Sequence, residues 1–178
     1  MTEDLKWNKN TSEIVIKAYK RMQLLTRAAS FTSNRQDLRK IYLIFVRSIL
    51  EQSAVVWNSS LSVRNKQSLE RVQKCAVRII LGGKYTTYKD GLLKLNLQNL
   101  RERRKQLCLK FAKKCLSNEK TSKMFPKNQS THKMEKRRSI KFKLAKVKTK
   151  RYKNSAIPYM ARLLNIDEEK KKLIMKEQ

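Results

Sequence analysis

The sequence predicts an all-α protein: a small helical bundle, then a basic and largely disordered arm, then a short C-terminal helix. Three observations carry that expectation. Apolar residues recur at helical spacing through most of residues 1–117. Cap-forming side chains stand ahead of the first two of these runs, at Asn10-Thr11-Ser12-Glu13 and Ser33-Asn34-Arg35-Gln36. The third is the stretch from Leu69 to Gly83, around which the rest is organised. At about 100° per residue, Leu69, Val72, Ala76, Ile79 and Ile80 share one arc, and Arg71, Lys74 and Arg78 lie opposite. Gly82-Gly83 ends the run as a left-handed cap, a conformation that strains residues with a Cβ. One face of this helix requires a core and the other is suited to anions.

Taken in order, Leu5-Lys6-Trp7 reads as a short entry segment. Asn10 caps a first helix reaching about Ala29, with Ile14, Val15, Ala18, Tyr19, Met22, Leu25 and Ala29 on its apolar arc. The Ser33 box opens a second helix from about Asn34 to at least Ser53, with Asp37 placed for the helix dipole. Leu38, Ile41, Tyr42, Phe45, Ile49 and Val56 form its face, and Val46 and Leu50 widen it, so this helix is expected to be the most buried. The run Ile41–Val46 alone also suits a strand, but its flanks continue a helical period. The organising helix follows over Val63–Leu81. Tyr88–Leu95 reads as a short helix broken by Gly91. A fourth long helix starts near Asn99, with Leu100, Leu107, Cys108, Phe111, Ala112 and Cys115 on its core side.

Beyond Ser117 the periodicity fades. From Lys120 to Lys153 a basic residue recurs about every third position and Glu135 is the only acid, the composition of an arm that stays unfolded until it meets a polyanion. Ile157–Leu164 then reads as a short helix with Pro158 in its first turn, and Asp167–Lys176 as a charged final helix. The expected division is a helical domain over 1–117, a polybasic flexible arm over 118–155 and a C-terminal helical segment over 156–178.

Composition narrows the function. The chain has 178 residues, 44 Lys+Arg against 14 Asp+Glu, and a formal charge of +30. Self-repulsion of that size favours an anionic partner, with nucleic acid first and an anionic membrane surface second. Against the membrane, the longest apolar run, Ile41–Val46, is far short of the ~20 residues a span needs. The N-terminus has no signal-peptide pattern, so an intracellular setting is expected, and the Lys/Arg clusters suit a nuclear one. Cys75, Cys108 and Cys115 lie in helical patterns without metal-ligand spacing and read as small buried side chains.

Catalysis needs converging groups. Asp4, Asp37, Asp90 and Asp167 are scattered, His132 is the only histidine, and Glu168-Glu169 sits in a charged tail. Gly82-Gly83 ends a helix rather than opening one, so it is no phosphate loop. No cofactor, metal or enzymatic activity is expected of this chain on its own.

An ordered succession of motifs runs through these elements: Leu5-x-Trp7; Leu24-Leu25-x-Arg27; Leu38-x-x-x-Tyr42; Ile49-Leu50-Glu51 ending at Trp57; and Leu69-Glu70-x-x-Gln73-x-x-x-x-Arg78. It continues through Tyr88, Leu92-x-x-Leu95-x-Leu97-x-x-Leu100, Arg103-Arg104 and Ser155-x-Ile157-Pro158-Tyr159. This succession resembles the helical thumb and C-terminal region of non-LTR (LINE-type) retrotransposon reverse transcriptases. The likeness covers 1–117 well, 118–150 poorly and 151–165 moderately. Asn10 stands where the family often has His, and Gln52 where it often has an aromatic residue. The resemblance implies a template–primer partner gripped beside a catalytic palm. It also implies that the palm, with its paired metal-binding aspartates, lies before residue 1, so this chain is a fragment without catalytic residues.

Backbone gripping requires cations on a rigid face and no base readout. The residues expected to supply it are Arg71, Lys74 and Arg78 on one helix, Arg103, Lys110 and Lys113 on another, and Lys136, Arg137 and Arg138 in the arm. The expected partners are RNA, DNA or their hybrid, and a reverse-transcriptase palm; no membrane is expected. Arg104 lies inside an apolar arc and is expected to snorkel or pair with Glu70 or Glu102. Gln73 leans inward towards a loop backbone, and Trp7, Tyr42 and Trp57 read as core. Two alternatives stand beside the gripping thumb: a helical scaffold that is basic by inheritance, and the thumb of a polymerase that needs a separate palm.

Overall fold

Among the residues that the computed structural model describes, 7–128, 140–144 and 146–175, the chain is all-α. The only extended pairing among them is an isolated antiparallel bridge between Lys127 and Phe142. The helices are α1 (Asn8–Phe31), α2 (Arg35–Ile41), α3 (Ser48–Glu51), α4 (Ala54–Trp57), α5 (Val63–Leu81), α6 (Tyr88–Lys94), α7 (Leu100–Leu116), α8 (Glu119–Ser122), α9 (Lys150–Lys153) and α10 (Ala156–Ile174). They fall into two compact units: Met1–Ala54 with Leu61–Lys105, and Val55–Ser60 with Gln106–Gln178. The first boundary within α7 therefore falls at Lys105, twelve residues short of the expected end of the helical domain at 117.

In the first unit, α1 lies along α5. Asn65 Nδ2 donates to Asn8 Oδ1 at 2.9 Å near the start of both helices, and the Tyr19 hydroxyl meets Cys75 Sγ at 4.0 Å one stretch further on. The two helices thus run in the same direction. Their shared core holds Ile14, Ala18, Met22 and Leu25 from α1 and Leu69, Val72, Ala76, Val77 and Ile80 from α5. Local signals set most helix starts. Ser62 accepts from Asn65 N ahead of α5, and Thr87 accepts from Asp90 N ahead of α6. Two caps differ from expectation. The cap of α2 is Asn34 rather than Ser33, accepting from Gln36 N at 3.0 Å. Helix α1 begins at Asn8, ahead of Asn10, with the Thr11 hydroxyl bonded to Trp7 O at 2.7 Å.

The second helical run is where periodicity misled. Between α2 and α3 the backbone forms a π-helical turn, Tyr42–Arg47. A wider turn advances the inward face by more than the usual 3.6 residues, so successive buried positions are spaced by four: Leu38, Tyr42, Val46, Leu50. Val46 and Leu50 are consequently fully buried, while Phe45, expected on the core face, is 43% exposed. Val56 and Phe111, also expected inward, are exposed as well. Gly91 does not break α6. It is buried against α5, where a Cβ would come within 2.5 Å of Val77 Cγ1, so its role is close approach.

In the second unit, the described residues of the expected arm, 118–128, 140–144 and 146–155, include helices and core positions, whereas 129–139 and 145 lie outside the described residues. Phe125 and Phe142, both within 118–155, are buried at 2% exposure with Cys108, Ala112, Cys115, Met160, Ala161, Leu163 and Leu164. Asn128 N donates to Lys141 O and Lys143 N to Pro126 O, both at 2.8 Å, which pairs the two segments side by side. The C-terminal segment is one continuous helix, α10, instead of a short helix followed by another. Two buried aromatic residues anchor this lysine-rich stretch, while its described lysines Lys127, Lys141, Lys143 and Lys146 stay exposed.

Candidate nucleic-acid interface

Helix α5 has the boundaries the sequence implies, and Gly82 has the expected positive φ (+52°) at its end. Its inward face is held by more than apolar packing. Gln73 is fully buried; its Oε1 accepts from the Tyr42 hydroxyl at 2.6 Å, and its Nε2 donates to Tyr88 Oη and to Gln98 O, each at 2.9 Å. The Tyr88 hydroxyl in turn donates to Glu70 Oε1, which also accepts from Leu100 N at 3.2 Å. Every polar atom of the Gln73 amide that can reach a partner has one, so α5 cannot rotate about its axis without stranding buried groups. Burial raises the Tyr42 and Tyr88 hydroxyls well above the ordinary tyrosine range, so both stay neutral donors. The carboxylate of Glu70 is committed inward, away from the basic face.

On the opposite face Arg71 and Arg78 are exposed and Lys74 is half-buried. Arg64, seven residues before Arg71 as Arg71 is seven before Arg78, extends the row and is exposed too. The sequence reading missed it, although the heptad spacing was there to be seen. No carboxylate among the described residues pairs with these four cations. The Arg78 guanidinium lies over the Tyr85 ring, 5.3 Å from its centroid, which fixes its direction without neutralising it. Tyr19 stands beside the row at 41% exposure. Burial and the neighbouring Cys75 raise its hydroxyl, against the lowering effect of Arg71. Cys75, expected to be buried, is only partly so.

The other expected cations are arranged differently. Arg103 makes a two-pronged pair with Glu51, Nε to Oε1 at 3.0 Å and Nη2 to Oε2 at 3.4 Å, and Arg47 Nε reaches the same carboxylate at 3.4 Å. Its charge is therefore met inside the first unit. Lys113, in the second unit, pairs with Asp167 at 2.7 Å. Lys110 is exposed and in no ion pair among the described residues. Lys136, Arg137 and Arg138 lie outside the described residues. Among the described members of the expected set, Arg71, Lys74 and Arg78 alone form one continuous face. Arg104 is fully buried, so its head does not snorkel; of its two expected carboxylates, Glu70 receives Tyr88 and Leu100, and Glu102 lies 3.9 Å from Lys105. Trp57 and Tyr42 are core residues, and Trp7 is half-buried. Arg39, which the sequence did not single out, donates through Nε to Leu95 O at 2.7 Å and steadies the end of α6.

These features define an all-α protein with an unneutralised cationic helix face on a hydrogen-bonded core. No protein-family model matches the chain, and no curated protein and no solved structure matches it. No helix among the described residues is long and apolar enough to cross a membrane.

Proposed function

We propose that this chain is a non-catalytic, thumb-like remnant of a retrotransposon reverse transcriptase, and that it binds RNA, DNA or their hybrid through backbone phosphates. The observation that carries the binding is the row Arg64, Arg71, Lys74 and Arg78: three exposed arginines and a half-buried lysine, without carboxylate partners among the described residues, on a helix held rigid from behind. Such a row meets phosphates spaced along a duplex and reads no base. The formal charge of +30 strengthens the attraction at long range. The ancestry rests on the motif succession, several of whose members, Leu38, Tyr42, Leu69, Glu70, Gln73 and Tyr88, meet in one core.

The pairing of Arg103 with Glu51 and of Lys113 with Asp167 favours the scaffold reading for those two positions alone. The test is a salt titration of a labelled RNA–DNA hybrid against the chain and against an Arg71→Gln/Lys74→Gln/Arg78→Gln variant. Affinity is expected to fall log-linearly with salt, and the slope to drop by about 1 for each phosphate contact removed. An unchanged slope, with helicity intact by circular dichroism, rules out this face. Primer extension with the chain alone is expected to give no incorporation; any incorporation overturns the non-catalytic reading.

A further inference from the structure

The second unit carries a groove that the proposed function does not use. It is a cavity of about 530 Å³ beside the first turns of α10, lined by Met124, Pro126, Leu144, Tyr152, Ile157, Pro158 and Ala161, with Lys143 and Lys146 on its rim. Pro158 and Ala161 form a buried floor, while Met124 (48%), Leu144 (41%), Tyr152 (49%) and Ile157 (43%) leave much of their surface in water. Water against so many aliphatic groups in one concave site is a cost that an apolar occupant would remove. Among the described residues no acid lines the groove, and neither rim lysine is in an ion pair. Two acids of α10 are already committed: Asp167 to Lys113 and Lys171, and Glu168 to Lys141 and Lys171.

We infer that this groove docks an acidic amphipathic helix of a partner protein, its leucine-type side chains entering the groove and its carboxylates meeting Lys143 and Lys146. The chemistry selects this occupant over others. A nucleic-acid base needs a flat aromatic or guanidinium face, and among the described residues Tyr152 is the only aromatic ring lining the groove. A bilayer takes up apolar side chains that protrude, whereas these line a concavity. A second copy of the chain, itself at +30, is repelled. A helix laid in an apolar groove with a basic rim satisfies both the exposed carbons and the unpaired ammonium groups.

The test uses the full chain and a labelled peptide of about four helical turns, with leucines at i, i+3, i+4 and i+7 and glutamates elsewhere, against a scrambled peptide of the same composition. Both have the same charge, so preference reports the groove. The amphipathic peptide is expected to bind about tenfold tighter, the change that goes with burying one more large aliphatic side chain. Leu144→Glu/Ile157→Glu is expected to abolish the preference while leaving weak charge-driven binding. Zero-length carbodiimide coupling on the unmodified chain, which needs no variant to fold, is expected to join peptide glutamates to Lys143 and Lys146. Equal binding of the two peptides overturns the inference, as does coupling that spares both lysines. So does binding of a single-stranded RNA oligomer or of anionic phosphatidylglycerol vesicles that is lost in Leu144→Glu/Ile157→Glu while the peptide preference persists.

Discussion

The side-chain amide of Asn165 holds the backbone of Phe142 at both of its polar groups, accepting from Phe142 N at 2.9 Å and donating to Phe142 O at 3.0 Å. An α10 residue thereby substitutes for a neighbouring β-strand and keeps Phe142 in the core of the second unit. Replacing it by alanine leaves a buried N–H and a buried carbonyl without partners. Asn165→Ala is expected to destabilise that unit by about 1–3 kcal/mol and to raise hydrogen exchange at the Phe142 amide ahead of the α5 amides. Thermal unfolding with exchange mass spectrometry checks both; uniform exchange along the chain would mean that Asn165 is not a local clasp.

Gln73 has the corresponding place in the first unit. Gln73→Leu keeps the volume close but strands the buried Tyr42 hydroxyl, at a cost of about 1–3 kcal/mol, and the part-buried Gln98 carbonyl also loses its partner. Tyr42→Phe in the same background is expected to cost less than it does alone, because one stranded group is then gone. A double-mutant cycle by chemical denaturation reads the difference, and strict additivity would show that the two side chains are not coupled.

Gly91→Ala sets two effects against each other. Helix propensity favours alanine by about 1 kcal/mol. The new Cβ, however, would stand 2.5 Å from Val77 Cγ1 and 3.2 Å from Leu81 Cδ1, and overpacking of this kind costs about 1–3 kcal/mol. Net destabilisation is expected. Val77→Ala removes the clashing methyl groups, so adding Gly91→Ala to it is expected to be less harmful than adding it to the parent chain. Unfolding midpoints of the four proteins settle the point.

The carboxyls of Asp167 and Glu168 are held below their ordinary values of 3.8 and 4.5, first by hydrogen bonds from Lys113 and Lys141 respectively. A carboxyl whose folded pKa is depressed adds stability above its unfolded pKa and loses it as pH falls through the folded one. The second unit is therefore expected to weaken from about pH 4.5 downward, with full benefit at neutral pH. Asp167→Asn/Glu168→Gln should flatten the melting temperature over that acid range, and added salt should shrink the effect because the pairs are solvent-accessible.

Local sequence determined the helical class, the ends of α5 and the direction of its two faces, since spacing and caps act over a few residues. It also marked Gln73 as inward-leaning and placed Arg104 in an apolar arc, without deciding that its head is buried. What it could not carry were choices made between segments distant in the chain. The π turn at Tyr42–Arg47 leaves Phe45 43% exposed, although periodicity placed it on the core face beside Tyr42. Phe142 is buried because Asn165, 23 positions later, takes up its backbone groups. Arg103 meets Glu51, 52 positions earlier, so a cation that reads as a surface group in its own helix is neutralised inside the first unit. Periodicity reports which way a side chain points; only the folded chain decides what it meets there.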